Sequence, residues 1–345
     1  TASWADGSVR WILIDFIADC APYGSAVYTV SDKPAKPGKT TPLKVSRSEE
    51  TITIETGVMR CEINPVHFDL FSRVWLDHDG DGTFTESELV TTGESPPPVS
   101  ATDAAGRKLA TGWGEVKSCE IEAEGPVRAT LAVKGSLYES GAVTPGAAKV
   151  DYTARLHFYA GSGLVRVFFT LENHEPTHPL PDRDGDPSHW VMGREGAFLF
   201  EDMSLNTRLT FDGPVQLTVG DGTEDVIDRM TVTAKGGVYQ ESSGGEHWFH
   251  RNHMGLTGKV PLTFRGAKYF LDGVDAYRRN RPDAWLHATD RQFGVVVSVR
   301  HFWQNFPKAL TAGSDGSVRV ALWPTEFPGE HILEGGEIKT HEIAF

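Results

Sequence analysis

Cysteine and long apolar runs are both scarce in this sequence. The chain has 3 cysteines among 345 residues, Cys20, Cys61 and Cys119, too few and too widely spaced for a disulfide scaffold or a zinc site. At most one bridge can form, and the sequence leaves open whether Cys61 and Cys119 pair. No run of 18 apolar residues is present, so the sequence offers no membrane span.

Basic residues are outnumbered by acidic ones. The chain has 33 Lys and Arg residues against 47 Asp and Glu residues, a formal net charge of −14. Such a charge repels a phosphate backbone unless basic residues are concentrated in one patch. Only Arg278, Arg279 and Arg281 cluster, so we expect no nucleic-acid partner.

Common local signatures of catalysis are missing as well. The chain contains no Gly-x-Ser-x-Gly, no Gly-x-Gly-x-x-Gly after a strand and no phosphate-binding loop. Serine-hydrolase and nucleotide-binding interpretations therefore lose their usual support.

Turn-forming residues and short strand signals dominate what is present. The 36 glycines and 20 prolines make up about 16% of the chain, against an average near 12%. Apolar and β-branched runs such as residues 127–134, 152–159 and 165–171 are each bounded by Gly, Pro, Asn or Asp, a pattern typical of β-strands. Serial strands of this kind predict an all-β fold, namely a large antiparallel β-sandwich.

A domain boundary is predicted near residue 43. Residues 33–42 are rich in Pro and Lys, which is the composition of an exposed linker. Before them, residues 3–16 predict a turn followed by a strand rich in apolar and aromatic side chains. We therefore divide the chain into a short segment, residues 1–43, and a β-sandwich domain, residues 44–345.

The most specific chemical motif is an acidic loop over residues 77–88. Its sequence fits the twelve-residue calcium loop, with carboxylates at the first, third, fifth and twelfth positions and Gly82 at the sixth. Alternating residues before it predict that the loop joins two β-strands rather than two helices. An acidic turn that binds nothing is the alternative. The predicted Ca²⁺ ligands are Asp77, Asp79, Asp81, Thr83, Thr85 and Glu88.

A second acidic run is less complete. Asp182, Asp184 and Asp186 alternate along the chain, but no distal Glu follows in register. A second ion site and a solvated turn closed by Pro187 are equally compatible with this run.

Two aromatic and basic clusters are candidates for a sugar cleft. Residues 246–253 combine three histidines, an Arg and two aromatic residues, and residues 300–308 have a similar composition at the end of a Val-rich strand. Aromatic faces stack on pyranose rings, and cationic side chains pair with uronate carboxylates. The alternative is that Trp248, Phe302 and Trp303 pack in a core, with the polar residues facing outward.

Several motifs along the chain resemble one family. They are Trp-Ala-Asp-Gly-Ser-Val-Arg-Trp at residues 4–11, Glu-Gly-Pro-Val-Arg-Ala at 124–129, Tyr-Ala-Gly at 159–161 before Val-Arg-Val at 165–167, Arg-His-Phe-Trp-Gln at 300–304, Pro-Lys-Ala-Leu at 307–310, Leu-Trp-Pro at 322–324 and Lys-Thr-His-Glu at 339–342. Together they resemble the exo-rhamnogalacturonan lyase-like (PcRGLX/YetA-like) polysaccharide lyase family.

The resemblance implies an N-terminal RIFT barrel, a central β-sandwich and a C-terminal α/α toroid. Within this sequence, residues 1–43 then correspond to a partial RIFT barrel segment and residues 44–345 to the central sandwich. Some members of the family eliminate glycosidic bonds in acidic polysaccharides. Because the matched motifs end at residues 339–342, we expect this chain alone to turn over no polysaccharide at a useful rate.

Two functions of different classes follow. The first is a polysaccharide lyase, in which a base removes the proton α to a uronate carboxylate while an Arg or a cation neutralises that carboxylate. The second is a non-catalytic, calcium-stabilised β-sandwich for glycan binding or structural assembly. For the lyase, His253 or His301 is the candidate base, Arg300 or Arg251 the neutraliser, and Arg251, Trp303 and Lys308 the substrate-binding residues.

The expected partners and compartment follow from the same features. We expect an acidic polysaccharide as substrate, and a C-terminal α/α toroid or other copies of the chain as protein partners. Calcium loops of extracellular modules work at 10⁻⁴ to 10⁻³ M calcium, a level that the cytosol does not sustain. We therefore expect a secreted, cell-surface or periplasmic protein.

Overall fold

The computed structural model describes residues 2–31, 43–93, 97–139, 150–176, 195–220 and 226–345. In these residues the regular structure consists of β-strands and two short 3₁₀ helices, Glu86–Glu88 and Arg251–His253. The predicted all-β class is therefore confirmed. Among the described residues, no helix is long and apolar enough to cross a membrane.

The N-terminal segment forms a small hairpin followed by an extended stretch. Strand β1 (Ala2–Ser3) pairs with β2 (Val9–Trp11), so the strand predicted to continue to Phe16 ends at Trp11. Asp15 forms an ion pair with Arg128 at 2.9 Å. Most of the predicted linker, residues 33–42, lies outside the described residues, and the boundary near residue 43 remains a prediction.

The chain then forms a five-stranded antiparallel meander. Its strands pair in chain order: β3 (Lys44–Arg47), β4 (Ile52–Glu55), β5 (Met59–Ile63), β6 (Arg73–Leu76) and β7 (Leu89–Thr91). Residues 77–88 connect β6 to β7, which are antiparallel neighbours. The acidic loop thus joins two strands of a hairpin, as predicted.

A nine-stranded antiparallel sheet forms one layer of the sandwich. Its strands, in spatial order, are β10 (Ser118–Glu124), β11 (Arg128–Ser136), β13 (Val150–Tyr159), β14 (Val165–Asn173), β26 (Ile338–Ala344), β22 (Gly294–Val299), β21 (Trp285–Thr289), β16 (Gln216–Gly220) and β17 (Val226–Thr231). Burial alternates residue by residue along β13 and β14, because successive side chains of a strand point to opposite faces. One face is therefore apolar and packed, and the other is polar.

A ten-stranded sheet forms the second layer. Its strands, in spatial order, are β12 (Tyr138–Glu139), β9 (Lys108–Ala110), β8 (Val99–Asp103), β15 (Phe198–Arg208), β24 (Ser317–Trp323), β23 (Lys308–Gly313), β18 (Lys235–Gln240), β19 (Ala267–Leu271) and β20 (Val274–Arg279), with β25 (His331–Leu333) pairing β15. All six residues of the central strand β23 are buried. This sheet is therefore covered on both faces at its centre.

One continuous apolar core joins the three larger sheets. Side chains such as Leu156 and Leu217 of the nine-stranded sheet belong to the same cluster as Val238 and Leu310 of the ten-stranded sheet. A second, small cluster lies on the opposite face of the ten-stranded sheet, where Phe264 packs with Tyr239, Ala309 and Ala321. Phe264 belongs to the connection between β18 and β19, so this connection covers the outer face of the sheet.

Candidate functional site

The connection between β18 and β19, residues 242–266, is called the cleft loop below. Its two ends are fastened by Glu241, which is only 2% exposed. One carboxylate oxygen of Glu241 accepts hydrogen bonds from Thr263 Oγ1 at 2.8 Å and the Phe264 N–H at 3.1 Å. The other oxygen accepts one from Tyr239 Oη at 3.1 Å. A buried carboxylate needs such partners, so Glu241 holds the returning end of the loop against β18.

Further bonds close the base of the cleft loop. The Gly266 N–H donates to Ser242 Oγ at 2.7 Å, and Arg265 Nε donates to the carbonyl of Gly244 at 2.8 Å. Gly244 has a φ of +66°, and a Cβ there would lie 1.6 Å from the Asn280 carbonyl oxygen. Only glycine fits this backbone and this approach. The base is thus rigid, and the loop beyond it carries His247, His250 and His253.

The second predicted cluster, residues 300–308, forms a turn between β22 and β23 and is called the cleft turn. Lys308, at 2% exposure, lies at its end. Its ammonium donates to the carbonyls of Asn305 at 2.5 Å, Pro307 at 3.1 Å and Leu322 at 2.7 Å. Burial lowers the pKa of Lys308 well below its ordinary value. Because all its donors point to backbone carbonyls, Lys308 fixes the turn.

The structure brings the two predicted clusters together at two points. Arg281 donates from Nε to the carbonyl of Ser243 at 3.3 Å, and its guanidinium lies over the Trp303 ring at 4.9 Å. The His253 ring meets the Phe306 ring edge to face at 5.5 Å. The cleft loop and the cleft turn are separated by more than 30 residues in sequence but form one surface.

A cavity of about 710 Å³ opens where this surface meets residues 323–332. Its size is within the range of small-molecule sites. The lining is mainly apolar and aromatic, with histidine, carboxylate, amide and hydroxyl groups between. Its lining includes Glu201, His253, Phe306, Trp323, Glu330 and His331.

Both histidines of the cavity are held neutral. Burial is the main reason that the pKa of His253 is lowered, and the nearby His250 adds to it. Burial also lowers the pKa of His331 to about 4, and this ring lies 3.1 Å from the carbonyl oxygen of Pro324. At neutral pH, His253 is therefore available as a proton acceptor.

The arginines of this region lie outside the cavity lining. No Lys or Arg occurs among the described lining residues. Arg251, Arg265 and Arg281 lie on the cleft loop or beside it, and within the described part of the chain none of them forms an ion pair. An anionic ligand would meet these guanidinium groups on the surface, outside the cavity.

The remaining predicted residues occupy other places. Arg300 forms an ion pair with Glu342 at 2.9 Å, and Arg166 shares the same carboxylate. This network lies on the polar face of the nine-stranded sheet, so Arg300 is not in the cavity lining. His301 is exposed and has a positive φ of 56°. The assignment of Lys308 to sugar binding is corrected, because its ammonium is buried and occupied by carbonyls.

In the acidic loop, Asp77, Asp79 and Asp81 each offer a carboxylate oxygen within 4.8 Å of the other two. Their positions are set by bonds within the loop. Asp77 accepts from the N–H groups of Gly80 at 2.8 Å and Gly82 at 3.0 Å, and Asp79 accepts from Asp81 at 3.1 Å. Three carboxylates so close repel one another, and a divalent cation bound between them would offset this repulsion.

Glu88, the predicted twelfth ligand, is turned into the loop. Its carboxylate accepts from the Thr85 N–H at 2.8 Å, Thr85 Oγ1 at 3.0 Å and the His78 N–H at 3.2 Å. These bonds, led by the Thr85 N–H, lower the pKa of Glu88. Glu88 therefore caps the 3₁₀ helix here and does not join the aspartate cluster. The second acidic run, Asp182 to Asp186, lies outside the described residues.

The sequence did not reveal all residues of the site. Glu241 gave no signal of its own, because its partners are 22 and 23 residues away. Glu201, Glu330 and His331 belong to no recognised motif, and Trp323 was noted only within a family-like motif. The cysteines Cys61 and Cys119 are buried and free, so they form no bridge.

The fold and the cavity define a large antiparallel β-sandwich with a ligand-sized pocket on one layer. Residues 43–178 match the model of the PcRGLX-like protein central beta sandwich domain. This match to one domain of the PcRGLX-like family agrees with the predicted resemblance. The match spans the five-stranded meander and the first strands of both large sheets. No curated protein matches the chain.

Solved structures resemble the chain at low identity. A TPR-domain containing protein from Parabacteroides distasonis is 11% identical with a TM-score of 0.45, covering 85% of this chain and 46% of its own. A putative aldose 1-epimerase from Klebsiella pneumoniae is 8% identical with a TM-score of 0.43, and the match covers 88% of this chain and 81% of that protein. A GH36 alpha-galactosidase from Geobacillus stearothermophilus is 11% identical with a TM-score of 0.41, and the match covers 88% of this chain and 40% of that protein. The chain thus spans about half or less of the first and third of these proteins.

Proposed function

We propose that this chain is the sandwich part of a carbohydrate-active protein of the polysaccharide lyase type, and that it binds an acidic, rhamnogalacturonan-like polysaccharide. The observation that carries the proposal is the convergence of the cleft loop and the cleft turn. Among the described residues Arg251 and Arg281 form no ion pair, and the Trp303 indole lies under the Arg281 guanidinium. Guanidinium forks bind carboxylates, and indole faces stack on sugar rings.

Within this site, His253 is our candidate base for β-elimination. It lines the cavity and is neutral at pH 7, so it can accept the proton α to a uronate carboxylate. Arg251 lies in the same 3₁₀ helix and is the candidate neutraliser. We prefer this pair to His301 with Arg300, because Glu342 already occupies the Arg300 guanidinium.

We propose that the isolated chain binds without efficient turnover. Elimination needs base and neutraliser within about 3 Å of the reacting atoms, and no described cation lines the cavity that contains His253. A further domain, such as the α/α toroid implied by the resemblance, would supply the missing groups. The lack of a described cation in the lining also favours the alternative function, a non-catalytic glycan-binding sandwich.

We also propose that the acidic loop binds Ca²⁺ through Asp77, Asp79 and Asp81, with the carbonyl of Thr83 and oxygens of Thr85 and Glu88 completing the shell. The support is the complete ligand spacing together with the aspartate cluster. Glu88 would turn from its capping bonds toward the ion. Export from the cytosol is proposed with it, because loops of this kind need extracellular calcium levels.

The experiment is affinity electrophoresis in gels that contain rhamnogalacturonan, combined with an ultraviolet assay for unsaturated uronates. We expect retardation of the unmutated chain, weaker retardation of Trp303→Ala and no unsaturated product. Trp113→Ala is the control, since Trp113 is exposed and far along the chain from the cleft loop. Lack of retardation would refute the binding proposal. Unsaturated product that disappears in His253→Ala would instead show that this chain is a complete lyase.

A further inference from the structure

The cavity beside the cleft loop carries two carboxylates on one wall. Strand β15 pairs antiparallel with β25, with Phe200 opposite His331. Glu201 follows Phe200 at an irregularity of β15, and Glu330 precedes His331 just outside β25, so both lie next to this pair. Both carboxylates are exposed and both line the cavity, and like charges close together repel each other. In the described part of the chain, neither carboxylate has an ion-pair or hydrogen-bonding partner.

The other polar groups of the lining do not compensate this charge. The cavity has no described Lys or Arg. His331 is neutral at physiological pH because burial lowers its pKa to about 4, and burial also lowers the pKa of His253. The ionised groups of the lining are therefore the two exposed carboxylates, in contrast to the guanidinium groups on and beside the cleft loop.

The shape and chemistry of the walls suit a sugar ring. Phe306, Trp323 and Phe327 contribute aromatic surface, and Asn252 and Thr325 contribute polar atoms. Aromatic side chains bind the C–H face of a pyranose, while ionised carboxylates accept strong hydrogen bonds from hydroxyl groups. A uronate brought into the same space would meet two carboxylates with no cation to neutralise it.

We infer that this cavity binds an uncharged pyranose residue through Glu201 and Glu330, and rejects a uronate. The inference rests on the proposed function in taking the ligand to be a sugar, and it adds a specificity. Neutral residues of a mixed polysaccharide enter the cavity, and acidic residues lie on the surface near Arg251 and Arg281. The two carboxylates are thus specificity-determining residues.

The test compares two ligands that differ at one carbon. Methyl galactopyranoside and methyl galacturonopyranoside differ in a CH₂OH group against a carboxylate. We expect calorimetry or saturation-transfer NMR on the full chain to give at least about tenfold tighter binding of the galactoside. In the double variant Glu201→Gln, Glu330→Gln, the preference should shrink to about threefold or less, because both charges are gone while the shape is kept.

The control is Glu122→Gln, an exposed carboxylate on the nine-stranded sheet that pairs with Arg155, and its preference should equal that of the unmutated chain. Equal or tighter binding of the galacturonoside, no binding of either glycoside, or an unchanged preference in the double variant would each overturn the inference. Polyuronide retardation is measured on the same protein. If the unmutated chain shows no retardation by polyuronide, the proposed function is refuted. The preference between the two monosaccharides is a separate measurement and tests the present inference independently.

Discussion

The acidic loop and the cleft loop are both strand connections, but they are held differently. The acidic loop is shaped mainly by hydrogen bonds among its own residues, Asp77 to Glu88, and Arg73 of β6 pairs with its Glu86. The cleft loop is closed by Glu241 at its start and is held from outside by Arg281, 38 residues from its partner Ser243. The first can be recognised from spacing alone, whereas the second exists only once the sandwich has folded.

The largest effect is expected from a substitution of Lys308, which should destabilise the cleft turn and leave the acidic loop unchanged. Lys308→Met leaves one buried and two part-buried carbonyls without their donor, so we expect the free energy of unfolding to fall by about 3 kcal/mol. Chemical denaturation measures this change, and calcium titration checks the other loop. Lys134→Met, at an exposed position of β11, should change stability by no more than about 0.5 kcal/mol. Equal losses in both variants would contradict the role given to Lys308.

Acid should also act on the cleft side. An unfolded histidine has a pKa near 6.5, whereas the pKa of buried His331 is about 4. Between these values the unfolded chain binds the proton and the folded chain does not, so stability falls as pH is lowered through this window, by about 3 kcal/mol in total. Denaturation curves of His331→Gln should show a flatter dependence between pH 6.5 and 4.

The control for this pH dependence is His67→Gln, because His67 is exposed. Its stability should follow that of the unmutated chain across the same window. If His331→Gln keeps the full loss on acidification, burial of the neutral imidazole is not its cause. The buried His341, whose pKa is also lowered by burial, contributes a separate loss that remains in the variant.

Calcium should act on the acidic loop alone. At a free concentration 100 times the dissociation constant, a bound ion stabilises the folded chain by about 2.7 kcal/mol. We therefore expect a chelator to lower the melting temperature of the unmutated chain by several degrees. The melting temperature of the double variant Asp79→Asn, Asp81→Asn should not change when the chelator is added. Galactoside binding in the cavity should not change. Asp6→Asn, at an exposed position outside the loop, serves as the control and should respond to the chelator as the unmutated chain does. Calorimetry without calcium uptake would refute the site.

The contrast between the loops also explains what could be predicted. The all-β sandwich followed from alternating strands such as β13, whose period of two is visible in sequence, and the family match confirms it over residues 43–178. The cavity could not be predicted, because the pairing of β15 with β25 brings together residues more than 120 positions apart, such as Phe200 and His331. Lys308 resembled a surface cation in sequence, and only tertiary packing places its ammonium among backbone carbonyls.

The smallest expected effect tests the central claim most directly. In the titration of rhamnogalacturonan into the full chain, Arg281→Gln removes a guanidinium that lies over Trp303 and should weaken binding about fivefold, near 1 kcal/mol. Arg155→Gln removes the same charge from the nine-stranded sheet and should leave the affinity unchanged. Equal affinity in all three proteins, or equal weakening in both variants, would contradict an acidic-polysaccharide site at the cleft loop.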